Sequence, residues 1–290
     1  MSKICEKTLT MSKLIKTPLR YPGGKSRMAE TFVGLMPDFD EYREPFLGGG
    51  SVYLTARQLK PGKKYWVNDL YYDLYCFWHE VQRDNPELVR EVRETRDFWT
   101  TGKYADLGGK CLYEKLVGDI MEFEIDDTQA RALAFFIINR ITFSGTSMSG
   151  GYSQESFDKR FTPSSIDRLE KIGPLMQGTK ITCLDYSELL REPGENVFLF
   201  LDPPYYTATK SALYGKNGEL HKGFDHERFA EEVKKCPHKW MITYDNCEYI
   251  RDMYKDYNII PHEFAYGMRN AVKGNDMTGK EILITNYEDF

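Results

Sequence analysis

Asp202-Pro-Pro-Tyr205 follows the apolar run Val-Phe-Leu-Phe-Leu at 197–201. A carboxylate at the carboxyl end of a buried strand stands at the edge of the crevice where open α/β sheets bind ligands. The two prolines fix the backbone and carry no N–H, so nearby carbonyls are free to accept from a substrate. Tyr205 adds a face on which a flat ring can stack. Together the Asp202 carboxylate, the Pro203 carbonyl and the Tyr205 ring suit an aromatic ring that bears an exocyclic –NH2: two acceptors for its two hydrogens, and one surface for the ring. The plainer reading is a turn and helix cap after a strand.

Two more motifs have the make-up of a binding site. Glu44-Pro-Phe-Leu-Gly-Gly-Gly-Ser51 lies between a predicted strand and a predicted helix. Its glycines allow a tight turn and let the backbone approach a ligand with no Cβ in the way. The spacing is not that of a phosphate loop or of G-x-G-x-x-G, which argues against a nucleotide-dependent oxidoreductase. Some twenty residues on, at the end of the next predicted strand, Asp69 in Asn68-Asp-Leu-Tyr71 could accept both ribose hydroxyls of a nucleoside or could simply cap a helix. Arg20-Tyr-Pro-Gly-Gly-Lys25 could hold a short anion between backbone N–H groups and the lysine, or could be a basic surface turn.

These residues need a scaffold that brings strand ends together. Hydrophobic patterning predicts strands at 41–46, 64–68, 179–184, 197–201, 239–244, 258–265 and 280–286, the last two as an antiparallel pair with a Gly-rich link at 267–279. Helices are predicted at 24–36, 50–59, 72–83, 86–98, 225–235 and 246–255, with Asp225 and Asn246 as N-caps of the last two. Alternating strands and helices imply βαβ units and a parallel sheet, an α/β fold. The alternation fails from about 84 to 173, where helices at 86–99, 110–124 and 126–140 precede the polar segment 144–153. That block reads as an insertion, leaving 1–83 and 174–290 as the main domain.

The 290 residues are 41% hydrophobic and 29% charged, a globular profile with enough chain for a sizeable core. No apolar run is long enough to span a membrane, and no apolar segment follows the N-terminal lysines, so neither a membrane span nor a signal peptide is expected. The six cysteines are scattered, with no C-x-x-C, which points away from structural zinc and disulfides and toward a reducing cytoplasm. The net charge of −5 hides a gradient: residues 1–27 hold seven lysines and arginines against Glu6 alone. Such a basic arm suits phosphates, or is an ordinary solvated surface.

Taken in order, Arg-Tyr-Pro-Gly-Gly-Lys, Glu-Pro-Phe-Leu-Gly-Gly-Gly-Ser, Asn-Asp-Leu and Asp-Pro-Pro-Tyr resemble the Dam-like N6-adenine DNA methyltransferases, in the α order of that family. Asp225-His226 before a helix, Trp240-Met-Ile-Thr-Tyr244 and Glu281-Ile-Leu-Ile-Thr-Asn286 extend the match over about 17–287. The resemblance implies a Rossmann-like methyltransferase sheet that binds S-adenosyl-L-methionine, with a mostly helical target-recognition insertion. Tyr21 and Lys25 would line the donor's methionine end, Phe46, Gly48 and Gly50 would pack against it, Asp69 would hold its ribose, and Asp185 would stand near its adenine; a helix N-cap explains Asp185 equally well. Asp202, Pro203 and Tyr205 would be catalytic, gripping the amine of an adenine flipped out of double-stranded DNA. No metal is required.

In the insertion, Arg140, Ser144, Thr146, Ser147, Tyr152, Ser153, Gln154, Lys159 and Arg160 are the candidates for DNA contact, each of which could equally be an ordinary loop residue. The Gly/Ser segment departs from the Asn-rich, Arg-containing pattern of GATC-methylating members, so no target sequence is assigned. An adenine methyltransferase acting on RNA, or a DNA-binding member that has lost catalysis, are the competing readings. Restriction-modification, phage-borne protection and housekeeping marking stay open as roles, as does the oligomeric state.

Overall fold

The computed structural model describes residues 14–122, 127–207, 223–265 and 278–288. The first thirteen residues of the basic arm and most of the Gly-rich link expected at 267–279 lie outside them. Among the described residues the helices are α1 (Ala29–Leu35), α2 (Ser51–Leu59), α3 (Tyr72–Arg83), α4 (Asn85–Thr100), α5 (Gly108–Glu122), α6 (Thr128–Ile141), α7 (Gln154–Arg160), α8 (Pro163–Met176), α9 (Tyr186–Arg191), α10 (His226–Lys235) and α11 (Glu248–Met253). The strands are β1 (Glu41–Glu44), β2 (Lys64–Asn68), β3 (Lys180–Thr182), β4 (Val197–Leu201), β5 (Lys239–Asp245), β6 (Asn258–Ala265) and β7 (Thr278–Thr285).

The strands form one sheet in the order β3-β2-β1-β4-β5-β7-β6. Pairings from β3 through β5 are parallel, and β7 runs antiparallel to both β5 and β6. This is the α/β architecture that the patterning implied, in the Rossmann-like form that the resemblance implied. The chain runs outward from β1 to β3, then returns to build β4 and β5 on the other side, so the strand order reverses between β1 and β4. At such a switch point the loops leaving neighbouring strands diverge and open a crevice.

β4 is buried throughout, as a central strand covered on both faces must be. β1 is central too, yet carries buried Arg43 and Glu44. Arg43 is tolerated there because it donates to the carbonyls of Leu189, Glu192 and Pro193 and pairs with Glu41 at 2.6 Å. Several helix starts follow the expected capping chemistry: Asp84, Asp127, Ser153 and Asp225 each accept from a backbone N–H in the first turn. Asn246 is not a cap. α11 begins later, at Glu248, and the Asn246 amide oxygen instead accepts from Arg251 Nε at 2.6 Å. The helix expected at 24–36 shortens to Ala29–Leu35, because Gly23 takes a positive φ of 70° and Gly24 N–H closes a turn onto the Tyr21 carbonyl.

On one face of the sheet, Tyr42, Phe198, Phe200 and Met241 belong to the same apolar cluster as Phe135, Phe136, Leu169 and Ile172 of the helical block between β2 and β3. That block therefore shares a continuous core with the sheet and is no separate globule. On the other face Leu199, Leu201, Trp240, Ile242 and Tyr244 pack with Phe229 of α10.

The turn from β1 to α2 is shaped by Gly48 and Gly50, with φ of 49° and 66°. A Cβ on Gly50 would lie 2.8 Å from the buried Trp78 ring. Gly50→Ala is therefore expected to destabilise the fold by about 1–3 kcal/mol through overpacking and backbone strain. Urea unfolding monitored by tryptophan fluorescence measures it, and a midpoint equal to that of the parent would contradict this account of the turn.

Candidate active site

The carboxyl ends of β1, β2 and β4 open into a cavity of about 570 Å³, within the usual range for a small-molecule site. Its walls bring together the four sequence-distant motifs, Tyr21–Lys25, Glu44–Gly49, Asn68–Tyr71 and Asp202–Tyr205, with Leu184–Tyr186 and Gly223–Asp225 closing one side.

Asn68 organises this region. Its side chain donates to the carbonyls of Pro45 and Leu184 and accepts from the Thr182 hydroxyl and Leu184 N–H, tying the ends of β1, β2 and β3 together. Asp69 is thereby set in the wall, where it accepts from Gly48 N–H at 2.8 Å and Tyr71 N–H at 3.0 Å. Burial pushes its carboxyl up to about 6 despite these two bonds. The Tyr21 ring lies against Gly48 and Gly49: a Cβ on either would approach Tyr21 carbons to 3.0 or 2.9 Å. Those glycines form a cradle that any larger residue would fill.

Phe46, Tyr186 and Phe224 make an aromatic wall, with ring centroids 5.5–5.8 Å apart. Asp185 stands beside it as the N-cap of α9, accepting from Ser187 N–H, and pairs with Arg228 at 2.9 Å. Burial would raise the Asp185 carboxyl, but Ser187 and Arg228 outweigh it and hold the group below the usual range. Glu44, deep in the wall, accepts from the Tyr42 hydroxyl, and burial drives its carboxyl well above the ordinary value.

At the mouth of β4, Asp202 pairs with Lys25, whose Nζ lies 2.9 Å from Oδ1 and 3.0 Å from Oδ2. Lys25 is only 7% exposed and donates its further bond to the Gly23 carbonyl. Thr243 on β5 donates to Asp202 Oδ1. Lys25 Nζ also sits 4.9 Å from the centre of the Tyr205 ring, and Pro203 is buried beneath.

Of the residues singled out in the sequence, Tyr21, Lys25, Phe46, Gly48, Asp69, Asp185, Asp202, Pro203 and Tyr205 all line this cavity. Gly50 does not; it faces Trp78 behind the turn. Gly49, Glu44, Phe224 and Arg228 line it without having been singled out individually, although Gly49 and Glu44 belong to the Gly-rich motif. The insertion's candidates divide. Lys159 and Arg160 are exposed, with Lys159 paired to Glu155 at 3.2 Å, while Ser144 and Tyr152 are half-buried. Ser147 is buried.

Arg140 is a correction. It is 6% exposed, and its guanidinium donates to the Arg160 carbonyl at 2.9 and 2.6 Å and the Pro18 carbonyl at 3.1 Å. It cannot read a base from that position; it ties the insertion to the segment that enters the site. Asn139 does the same work beside it, bonding Arg20 N–H, the Arg20 carbonyl and the Gly145 carbonyl. The 142–152 loop, pinned by a Thr142–Tyr152 bridge and strained at Ser144 (φ 53°) and Ser147 (φ 50°), is thus held next to Tyr21. Phe143 at its start is 68% exposed.

Among the described residues no helix is long and apolar enough to cross a membrane, and no cluster of three or more potential metal ligands occurs. The model of the D12 class N6 adenine-specific DNA methyltransferase family matches residues 21–268. The chain is 24% identical over 289 residues to the type II methyltransferase M1.LlaDCHI of Lactococcus lactis subsp. cremoris, covering 92% of this chain and 94% of that one. It is 24% identical over 290 residues to the type II methyltransferase M.MjaIII of Methanocaldococcus jannaschii, covering 94% and 99%. It is 26% identical over 208 residues to the DNA adenine methylase of Vibrio cholerae, covering 69% and 70%.

The buried position of Arg140 makes a structural claim that can be measured. Arg140→Met leaves two carbonyls without their donor and is expected to cost about 1–3 kcal/mol of stability in denaturant unfolding. An unchanged unfolding midpoint, with weaker DNA binding, would return Arg140 to the interface.

Proposed function

The chain belongs to the D12 class of N6 adenine-specific DNA methyltransferases, and from that premise we propose that it takes its methyl group from S-adenosyl-L-methionine bound in the 570 Å³ cavity and places it on an adenine swung out of double-stranded DNA. The observation that carries the reading is the convergence of Asp202, Pro203 and Tyr205 with the Gly48–Gly49 cradle and Asp69 around one cavity.

The residues fit such a donor. Gly48 and Gly49 let the Tyr21 ring lie against the turn where a Cβ would meet it, the Asp69 carboxylate has lone pairs left for ribose hydroxyls, and the Phe46–Tyr186–Phe224 wall suits an adenine ring, with Asp185 beside it. Tyr21 and Lys25 hold the opposite, methionine end. When bound, the donor supplies a methyl group made electrophilic by its sulfonium charge.

The target amine is a weak nucleophile, because its lone pair is delocalised into the purine. Asp202 and the Pro203 carbonyl accept its two hydrogens, which localises that pair on nitrogen and offsets the positive charge that develops as the new bond forms. Tyr205 gives the flipped ring a surface to stack on, against a flipping cost of about a few kcal/mol. The Lys25 contacts seen on Asp202 and over the Tyr205 ring mean that the ammonium yields part of this space when the base enters.

Residues 84–173 act as the target-recognition insertion on the main domain of 1–83 and 174–290. Ser144, Tyr152, Lys159 and Arg160 face DNA, the two cations toward phosphates, and exposed Phe143 fills the gap that a displaced base leaves. The type II relatives support a role in restriction-modification, which would be carried out in the cytoplasm.

Asp202→Asn keeps the side-chain volume and leaves Lys25 a carbonyl partner, whereas Asp202→Ala orphans the ammonium. With Asn, transfer of labelled methyl to duplex DNA is expected to fall by roughly a hundredfold or more while donor binding persists; near-parental turnover removes Asp202 from the centre. Asp69 accepts best when ionised, so donor affinity in calorimetry is expected to weaken as pH drops below about 6. Asp69→Asn should bind weakly with no such pH dependence.

A further inference from the structure

The reaction leaves one surplus proton on the methylated nitrogen, and the walls described so far offer no resting place for it. A carbonyl such as that of Pro203 takes no proton at neutral pH. Asp202 can take it only transiently, since it must be a bare acceptor again for the next adenine. Glu44 is already engaged by the buried Tyr42 hydroxyl, which donates to it. Asp245, at the end of β5, uses both oxygens to accept from Tyr206 and Thr207 N–H, at 3.0 and 2.9 Å.

One buried carboxyl behind the site is differently placed. Glu281 on β7 stands opposite Asp245 in the β5–β7 register, on the same sheet face as Thr243. It is 2% exposed, and neither of its oxygens has a hydrogen-bond partner. Unpartnered buried carboxylates are costly, and their retention calls for a reason. The charged and titratable groups that act on it are Lys25 from the loop before α1, Asp202 and Tyr205 from the turn after β4, and Asp245. His262 on β6 occupies the position across from it on the other side. The Tyr205 hydroxyl is buried without a hydrogen-bond partner, and Thr243 and Glu281 are both near enough to act on it. Thr243 in turn is bonded to Asp202.

Resting on the reading above, we propose that Glu281 is the base that finally receives the amine proton, through the path Asp202, Thr243, Tyr205. The N–H bond of the methylated amine breaks, its electron pair stays on nitrogen, and the proton joins Asp202. Asp202 then passes a proton to Thr243 Oγ1 as the Thr243 proton moves to the Tyr205 oxygen and the Tyr205 proton to Glu281. Each hydroxyl gains one proton and loses one, and no electrons are exchanged. Asp202 is again a carboxylate, and Glu281 is neutral until it releases the proton to solvent after product leaves. Glu281 touches neither substrate nor donor; it acts through Tyr205 and Thr243.

Burial pushes the Glu281 carboxyl up to about 7, with Lys25 drawing it down and Asp202 pushing it up, so it can both take and release a proton near neutrality. The test is kcat against pH on duplex DNA for the full chain and for Glu281→Gln, with KM for S-adenosylmethionine measured alongside. The parent is expected to gain activity as pH rises through about 7. Glu281→Gln should lose that limb and about tenfold in kcat, with donor KM within twofold, and should lose a protonated-carboxyl infrared band that the parent shows at low pH. Tyr205→Phe keeps the stacking ring and breaks the path, so it should lose the same limb, whereas His262→Gln should keep it. A limb that survives in Glu281→Gln or Tyr205→Phe, or that disappears in His262→Gln, overturns the proposal, as does a rate loss in Glu281→Gln with an unshifted profile, which marks a structural role. A parent chain that methylates no DNA overturns the parent reading instead.

Discussion

A buried ammonium and a half-buried carboxylate, 177 positions apart in sequence, meet at 2.9–3.0 Å where β4 ends. Lys25 is nearly excluded from water, so its ammonium depends on the Asp202 carboxylate to offset the cost of its burial. Lys25 reaches Asp202 because the Gly23–Gly24 turn stops the first helix from starting early and offers the Gly23 carbonyl as an extra acceptor. Asp202 is in place because β4 is central, wholly apolar and flanked by β1 and β5, the latter bringing Thr243. The segment before α1, the switch point and the fifth strand thus converge on a single ion pair, and the cavity is the space left around it.

The same convergence concentrates carboxyl groups. Glu44, Asp69, Asp185, Asp202, Asp245 and Glu281 crowd the ends of the strands, and the structure keeps them from repelling one another by giving each a different environment. Burial raises the Glu44 carboxyl, Ser187 at a helix start and Arg228 lower that of Asp185, and Asp245 is bound by two backbone N–H groups. Asp69 and Glu281 lie between these extremes. A set of acids graded in this way suits a pocket that receives a cationic methyl donor and must then dispose of a proton.

The helical block between β2 and β3 adds a second constraint. Because its apolar residues join the sheet's own cluster, and because Asn139 and Arg140 bond the backbone at Arg20 and Pro18, the 142–152 loop cannot drift away from the cavity. A strained loop on a rigid support is a sound way to hold side chains at a fixed distance from a reacting atom.

Much of this was legible in the amino-acid sequence, and for a local reason. Apolar runs such as 197–201, followed at once by Asp202-Pro-Pro-Tyr205, or strand residues followed by Gly48-Gly49-Gly50, encode both the element and the chemistry at its end, because strand termini and turns obey short-range rules. Membership of the family rests on the same short motifs in their order. The tertiary structure decided what depends on distant partners. Arg140 looked like a surface cation and became a buried tie, since only the fold supplies the Arg160 and Pro18 carbonyls that make its burial tolerable. Gly50 looked like part of the ligand cradle and was turned toward Trp78 by its positive φ. Glu281 stood in the Glu281–Asn286 run that extended the resemblance, but nothing in that run told its position until the antiparallel pairing of β7 with β5 set it behind Tyr205. A residue's type and neighbours state what it can do, but whether its charge meets water, a carbonyl or another acid is settled by segments that only the fold brings beside it.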